Sequence, residues 1–329
     1  MAEPISPQDA VIQMDGVTRR FNGVRAIHDL SLRVEPGSIV GLIGPSGSGK
    51  TTAVRMLTGT LEPTEGAIRV LGEDPRRFSR RVRERIAYMP QLFSLYDDLT
   101  AHENVSFVAS LYGRPWWSRR GAVRRALQVV DLWDARRRLA RNLSGGMQRR
   151  LELACAVVHE PQVLFIDEPT AGVDPLLRRA IWDELRRMRD EGRTLLVTTQ
   201  YVGEAEYCDR IALLAEGELV AMDEPAALRR AVFGGEVLEL DADRPLEPDA
   251  VANVAEVLAV RQSRPRRLVL VVSDAGVATP RIVEALAGRG IGVISLEEYQ
   301  PSFDDIFSEL VERQRAGRED ADPGEQHAA

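Results

Sequence analysis

The sequence predicts an α/β core with a helical insert, followed by a small α+β domain towards the C-terminal end. Three observations lead there. Two short apolar runs, SIVGLI at 38–43 and VLFI at 163–166, have the length and composition of strands buried on both faces of a parallel sheet. The first runs straight into a glycine-rich loop and a helix-compatible stretch, in the order strand, loop, helix. Beyond Asp223-Glu224-Pro225 the pattern changes to short apolar strands separated by single helices.

Composition narrows the class. A chain of 329 residues, 44% of them hydrophobic, is long enough to bury a large core and to divide into two domains. Lys and Arg number 43 against 50 Asp and Glu, and the net charge of -7 speaks against general nucleic-acid binding, so no nucleic-acid partner is expected. Cys155 and Cys208 form no C-x-x-C, and His28, His102, His159 and His327 lack metal-ligand spacing, which reads as a reduced compartment without structural zinc. The opening MAEPISPQDA shows no leader pattern, and no apolar run approaches the roughly 18–20 residues of a membrane span. A soluble, cytoplasmic chain is expected.

The loop after the first strand reads GPSGSGKTT, and Gly44, Gly49, Lys50 and Thr51 fill G-x-x-x-x-G-K-[ST]. In such a P-loop, formed here by Gly44, Pro45, Ser46, Gly47, Ser48 and Gly49, the glycines let consecutive backbone N–H groups turn inward on a phosphate, and the helix over about 51–57 aims its positive end at the same anion. Lys50 then reaches the β- and γ-phosphates, Thr51 offers its hydroxyl to Mg²⁺, and Thr52 completes the loop. ATP and Mg²⁺ are the expected cofactors. Lys50 is also the only lysine in the chain, every other basic residue being arginine. A compact ammonium fits inside a backbone nest where a planar guanidinium does not.

The second strand ends in Asp167 and Glu168 before Pro169 stops it, which is the Walker B arrangement. Asp167 is placed to hold Mg²⁺ through water. Glu168, one residue on and pointing the other way, is the candidate general base that polarises the attacking water. A P-loop NTPase core follows from these two segments.

A third segment, NLSGGMQRR at 142–150, sits a short way before the Walker B strand. Taken alone, Ser-Gly-Gly ahead of a helix is a helix cap, and with the helix dipole it is also an anion site. With the P-loop and VLFIDEPT in order, the sequence resembles the ATP-binding subunit of an ABC transporter over about residues 11–230. The resemblance implies that Ser144, Gly145 and Gly146 face the γ-phosphate held by the P-loop of a second subunit, hence a homodimer, and that a separate integral-membrane permease is the partner. It further implies that Phe21 stacks on adenine, that Gln91 is the Q-loop glutamine that senses Mg²⁺ and the permease, and that Asp174 belongs to the D-loop bridging the two sites.

One position departs from the family pattern. After LLVTT the family usually has a histidine that grips the γ-phosphate, and here Gln200 stands instead. Glutamine donates a hydrogen bond but carries no charge and relays no proton, so turnover is in question more than binding. Together with the EA and CDRIALL that follow, it resembles the drug-resistance (daunorubicin-type) exporter branch of the ABC-2 type. Lys50, Glu168 and Gln200 are therefore the catalytic candidates, and Thr51, Gln91 and Asp167 those for the metal.

The expected organisation is an ABC ATP-binding domain over 11–235 with its helical insert at 92–158, an accessory domain over 236–311 of β-α-β-α-β type, and a disordered tail over 312–329. Within the insert, Trp116 and Trp117 are read either as packing in a helix–helix loop or as a contact to a membrane partner. In the accessory domain VANVAEVLAV is read as a helix, and the closing SFDDIFSELV resembles C-terminal extensions that adjoin the dimer partner. The expected function is ATP hydrolysis at the cytoplasmic face of a bacterial membrane, powering a permease that exports a drug or other hydrophobic compound. Two alternatives stay open: a soluble ABC ATPase acting on DNA or ribosomes, and an ATP-gated clamp that scarcely hydrolyses. The sequence has no long heptad insert, zinc cysteines or tandem cassette to favour the former.

Overall fold

The computed structural model describes residues 10–91, 94–299 and 302–321, with side chains placed up to 312. The leader reading of the first residues falls mostly outside this range, as do the first two residues of the expected insert and the tail beyond 321. The chain divides into two compact units at Glu224 and Pro225.

The first unit holds, in chain order, β1 (Ile12–Phe21), β2 (Val24–Val34), β3 (Ile39–Ile43), α1 (Lys50–Leu57), β4 (Glu65–Val70), the short α2 (Arg80–Arg83) and β5 (Ile86–Met89). The insert follows as α3 (Ala101–Leu111), α4 (Trp116–Val129) and α5 (Gly145–Val157), and then β6 (Val163–Asp167), α6 (Pro175–Asp190), β7 (Thr194–Thr199), β8 (Arg210–Ala215) and β9 (Glu218–Asp223). Six strands form one sheet in the order β5-β6-β7-β3-β8-β9, parallel except for the closing β8–β9 hairpin. Every residue of β3, β6 and β7 is buried, which is why these strands carry continuous rather than alternating apolar sequence.

Register sets the site. Ile43 pairs with Thr199, and Asp167 pairs with Thr198, so the C-terminal ends of β3, β7 and β6 finish level with one another. The chain leaves each of those ends into the P-loop, Gln200 and Glu168 respectively, and in an open parallel sheet that edge is where ligands bind. An antiparallel sheet, β2-β1-β4, packs its inner face with Ile12, Met14, Leu30 and Leu32 against Val54, Met56 and Leu57 of α1. Its β1–β2 hairpin turns on Asn22 and Gly23, both at positive φ, as a two-residue Asn-Gly turn requires. In the insert, Thr100 and Glu103 close α3 with a reciprocal capping box. Trp116 and Trp117 are 75% and 70% exposed and meet only each other edge to edge among the described ring contacts, so they do not pack a helix–helix loop.

The second unit contains α7 (Pro225–Phe233), β10 (Glu236–Ala242), β11 (Val257–Arg264), β12 (Arg267–Val272), α8 (Ala275–Gly288), β13 (Val293–Glu298) and α9 (Phe303–Ala321). Its sheet is antiparallel throughout, in the order β11-β12-β10-β13. Three sequence expectations are corrected here. The stretch 251–260 is a turn followed by β11, not a helix: its valines keep helical spacing for little more than one turn, and β-branched residues pair across a hairpin with β12 instead. The helix α9 also runs on to Ala321, past the point where a disordered tail was expected to begin. The boundary lies at 225, not 236, because α7 belongs with this unit, where Arg229 lies over the Phe303 ring at 4.5 Å. No helix among the described residues is long and apolar enough to cross a membrane.

Candidate active site

The P-loop is shaped by glycines that a side chain would block. Gly47 and Gly49 sit at φ 83° and 103°, and a Cβ on Gly49 would meet Ala26 O of β2 at 2.7 Å. A Cβ on Gly44 would lie 2.7 Å from Ser48 Oγ. The helix α1 starts at Lys50 with Gly49 as its N-cap, no side-chain cap and no acid in its first turn, so its leading N–H groups face outward unsatisfied. Lys50 is 4% exposed and folds back to donate to Gly44 O at 2.8 Å and Pro45 O at 2.9 Å, with Nζ 4.0 Å from Glu168 Oε1. Burial pushes its ammonium below the ordinary lysine range, and the carboxylates of Glu168 and Asp167 oppose that.

Thr51 Oγ1 donates to Asp167 Oδ1 at 3.3 Å, and Thr198 Oγ1 donates to the same oxygen. The other oxygen, Asp167 Oδ2, is buried without a hydrogen-bond partner among the described residues, as is Ser48 Oγ. Glu168 holds a left-handed backbone, φ 48°, unusual for a non-glycine residue. Its N–H bonds Thr198 O at 3.1 Å and Thr198 Oγ1 at 3.0 Å, and its Oε2 accepts from Gln91 Nε2 at 2.7 Å. Lys50, Thr51, Gln91, Asp167 and Glu168 are thus brought together.

The residues present fit ATP and Mg²⁺. An orphaned buried carboxylate oxygen beside a threonine hydroxyl is the all-oxygen donor set that a hard divalent cation takes. An uncapped helix N-terminus behind a loop whose glycines leave no room for a Cβ at 44 and 49 is a phosphate cradle.

Other predicted positions lie apart from this group. Ser144 is the N-cap of α5 and accepts from Met147 N at 3.3 Å, and both Ser144 and Gly145 are exposed. Among the described residues none of their hydrogen bonds reaches the 44–52 loop. The two glycines differ in kind: Gly145 has open space where a Cβ would go, whereas a Cβ on Gly146 would collide with Leu177 Cδ2. Asp174 caps α6, its Oδ1 accepting from Leu176 N and Leu177 N at 3.0 Å. Phe21 is 41% exposed at the end of β1, with the Arg19 guanidinium 4.6 Å from its ring centre. Gln200 is exposed just past β7.

Sequence reasoning passed over Arg149, which is 4% exposed in α5. It donates through Nη2 to Asp167 O and Glu168 O, each at 2.8 Å, through Nε to Pro169 O at 3.1 Å, and through Nη1 to Pro90 O at 2.9 Å. Its charge is paired with buried Glu152 at 2.7 Å. In the sequence it is one arginine among 42, and nothing in QRR marks it as the buried one.

Residues 27–171 match the family model described as "ABC transporter", and residues 224–311 match the model "ATP-binding protein DrrA1-3-like, C-terminal domain". The chain is 37% identical over 308 residues to the probable multidrug ABC transporter ATP-binding protein YbhF of Escherichia coli, covering 92% of this chain and 52% of that one, so it spans about half the length of that relative. It is 36% identical over 308 residues to the daunorubicin/doxorubicin resistance ATP-binding protein DrrA of Streptomyces peucetius, covering 91% and 92% of the two chains. Among solved structures it is similar to a dimeric ATP-binding cassette bound to ADP and Pi, with a TM-score of 0.60 and 26% identity over 65% of this chain and 98% of that one. The parallel sheet with its P-loop and Walker B ends, the insert carrying the signature serine, and the antiparallel C-terminal unit are accounted for together: the chain belongs to the ATP-binding subunits of ABC transporters, in the branch with a DrrA-like C-terminal domain.

Proposed function

We propose that this chain hydrolyses ATP as a homodimer and drives a separate membrane permease, exporting a drug or another hydrophobic compound from the cytoplasmic side of a bacterial membrane. The observation that carries the hydrolytic part is the convergence of Lys50, Thr51, Gln91, Asp167 and Glu168 at one sheet edge, with Glu168 Oε1 4.0 Å from Lys50 Nζ. The export part is supported by the drug-resistance names of relatives that align along the C-terminal unit as well as the cassette.

The arrangement and the family pattern together support the following residue roles. Lys50 exchanges its two carbonyl contacts for β/γ-phosphate oxygens, and the first turn of α1 supplies N–H donors to the same charge. Thr51, Asp167 and Gln91 would hold Mg²⁺, and the bound cation would neutralise charge building on the phosphates. Glu168 takes the proton of the attacking water, and Gln91 fixes its carboxylate for that task. Ser144 and Gly145, exposed and, among the described residues, without a hydrogen bond to their own P-loop, serve the γ-phosphate of the second subunit.

The test is Mg²⁺-dependent phosphate release by the purified chain, then its stimulation on reconstitution with a candidate membrane permease. Absence of any phosphate release removes the hydrolytic reading. Release without stimulation by any permease removes the transport reading and favours a free-standing ATPase.

A further inference from the structure

We propose that Arg149 is a positioning residue for hydrolysis, which holds Glu168 in its strained backbone and ties it to the signature helix. The proposal rests on the ATPase reading above and assigns regulation to that same site.

The two carbonyls that Nη2 grips, Asp167 O and Glu168 O, belong to the peptide units on either side of the Glu168 α-carbon. Fixing both units fixes φ and ψ of the residue between them. That residue stands at φ 48°, a conformation a glutamate leaves unless its surroundings over-determine it. Thr198 holds the amide side of Glu168, and Arg149 holds the carbonyl side. The same guanidinium reaches Pro90 O at 2.9 Å and Gln91 O at 3.4 Å, so it also places the backbone from which Gln91 donates to the Glu168 carboxylate.

Only arginine meets this geometry, because its planar fork presents donors in three directions at once. Burying its charge needs a partner and Glu152 supplies one, at 3% exposure, steadied in turn by Ser94 N at 2.8 Å. Burial pushes the Glu152 carboxyl up, and the bonds from Ser94 and Arg149 pull against that.

Arg149 lies little more than one turn beyond Ser144-Gly145-Gly146 on α5. A nucleotide on the second subunit that draws in the N-terminus of α5 therefore acts on Arg149, and through it on the Glu168 turn and the Gln91 segment of the first subunit. Each site's base is set by the nucleotide in the other.

Steady-state phosphate release against ATP concentration tests this with Arg149→Lys, which keeps the charge for Glu152 and loses the fork. The expected result is a kcat lower by roughly tenfold or more, a KM within about threefold of wild type, and a Hill coefficient that falls to one. ATP trapping in a Glu168→Gln background should be unchanged, since the P-loop and signature are intact. A kcat within about twofold of wild type overturns the proposal, and so does a joint loss of kcat and trapping, which marks Arg149 as a general packing residue. If Arg149→Lys does not fold, Glu152→Gln loosens the same guanidinium and should lower kcat about two- to fivefold at unchanged KM; an unchanged kcat overturns the proposal there. An inactive wild-type protein instead refutes the ATPase reading, so the two failures are distinct.

Discussion

Gln91 Nε2 donates to Glu168 Oε2 at 2.7 Å, joining the loop after β5 to the turn after β6 across 77 residues of sequence. The bond orients one carboxylate oxygen and leaves Oε1 facing Lys50. Glu168→Gln keeps the shape of that arrangement and removes the base. Nucleotide affinity should stay within a few-fold of wild type while turnover falls by about 10²-fold or more, as equilibrium ATP binding and phosphate release will show.

Lys50 is the single lysine, and its ammonium is held by two carbonyl oxygens inside the loop. Lys50→Ala should abolish tight ATP binding by leaving phosphate charge uncompensated. Lys50→Arg should do nearly as badly, because a planar fork does not fit where the ammonium is 4% exposed. Titration with a fluorescent ATP analogue measures both, and wild-type affinity in either variant removes the P-loop role of Lys50.

Gln200 follows β7 at the edge where Thr199 pairs with Ile43. If it positions the γ-phosphate by hydrogen bonding, Gln200→His retains turnover and Gln200→Ala loses roughly tenfold in kcat. Equal rates for the alanine variant and wild type would make the position idle, and a wild-type rate near zero would favour the ATP-gated clamp.

The two signature glycines should separate folding from assembly. Gly146→Ala sets a methyl group against Leu177 Cδ2, so that side chain must turn aside, and unfolding by heat or urea should show a smaller gain in stability than the roughly 1 kcal/mol that Gly→Ala brings to an open helix position. Gly145→Ala and Ser144→Arg meet open space or solvent within their own chain, so each should fold normally but fail to trap ATP as dimers with Glu168→Gln added. Mixing Ser144→Arg with Lys50→Ala subunits should restore one composite site, seen as about one trapped ATP per mixed pair. No trapping would show that the signature does not act across subunits.

His159 is buried, stacks on Tyr112 with ring centres 3.6 Å apart, and donates through Nε2 to Ile86 O at 2.9 Å. Burial lowers its pKa to about 4, so the folded chain resists a proton that the unfolded chain accepts below about 6.5. Its contribution to stability is therefore whole above that range and is lost as pH falls towards 4, by about 3 kcal/mol at most. His159→Gln, which keeps a donor for Ile86 O and removes the titration, should show a shallower fall in melting temperature between pH 6.5 and 4. Parallel curves for the two proteins would mean that His159 does not govern the acid limb.

Legibility followed the range of the interactions. The buried strands, the phosphate loop, the acidic pair and the helix-capping serine were readable because each depends on a few consecutive residues: glycines at positive φ, a continuous apolar run, a lysine next to a threonine. The accessory unit was read less well, since 251–260 has apolar spacing compatible with either a short helix or a strand, and pairing with β12 decided for the strand.

What the sequence by itself determined is which groups gather at the sheet edge, Lys50, Thr51, Asp167 and Glu168, because a P-loop and an acidic strand end need those residue types at that spacing. What only the tertiary structure decided is which of many like residues is enlisted. Level strand ends put Thr198 against Asp167 and Glu168, and burial selected Arg149 from a chain full of arginines to clamp the turn between them. Hydrogen bonds to backbone carbonyls leave no mark in the sequence of the residue that accepts them, so an arginine whose partners are carbonyls is invisible until the chain is folded.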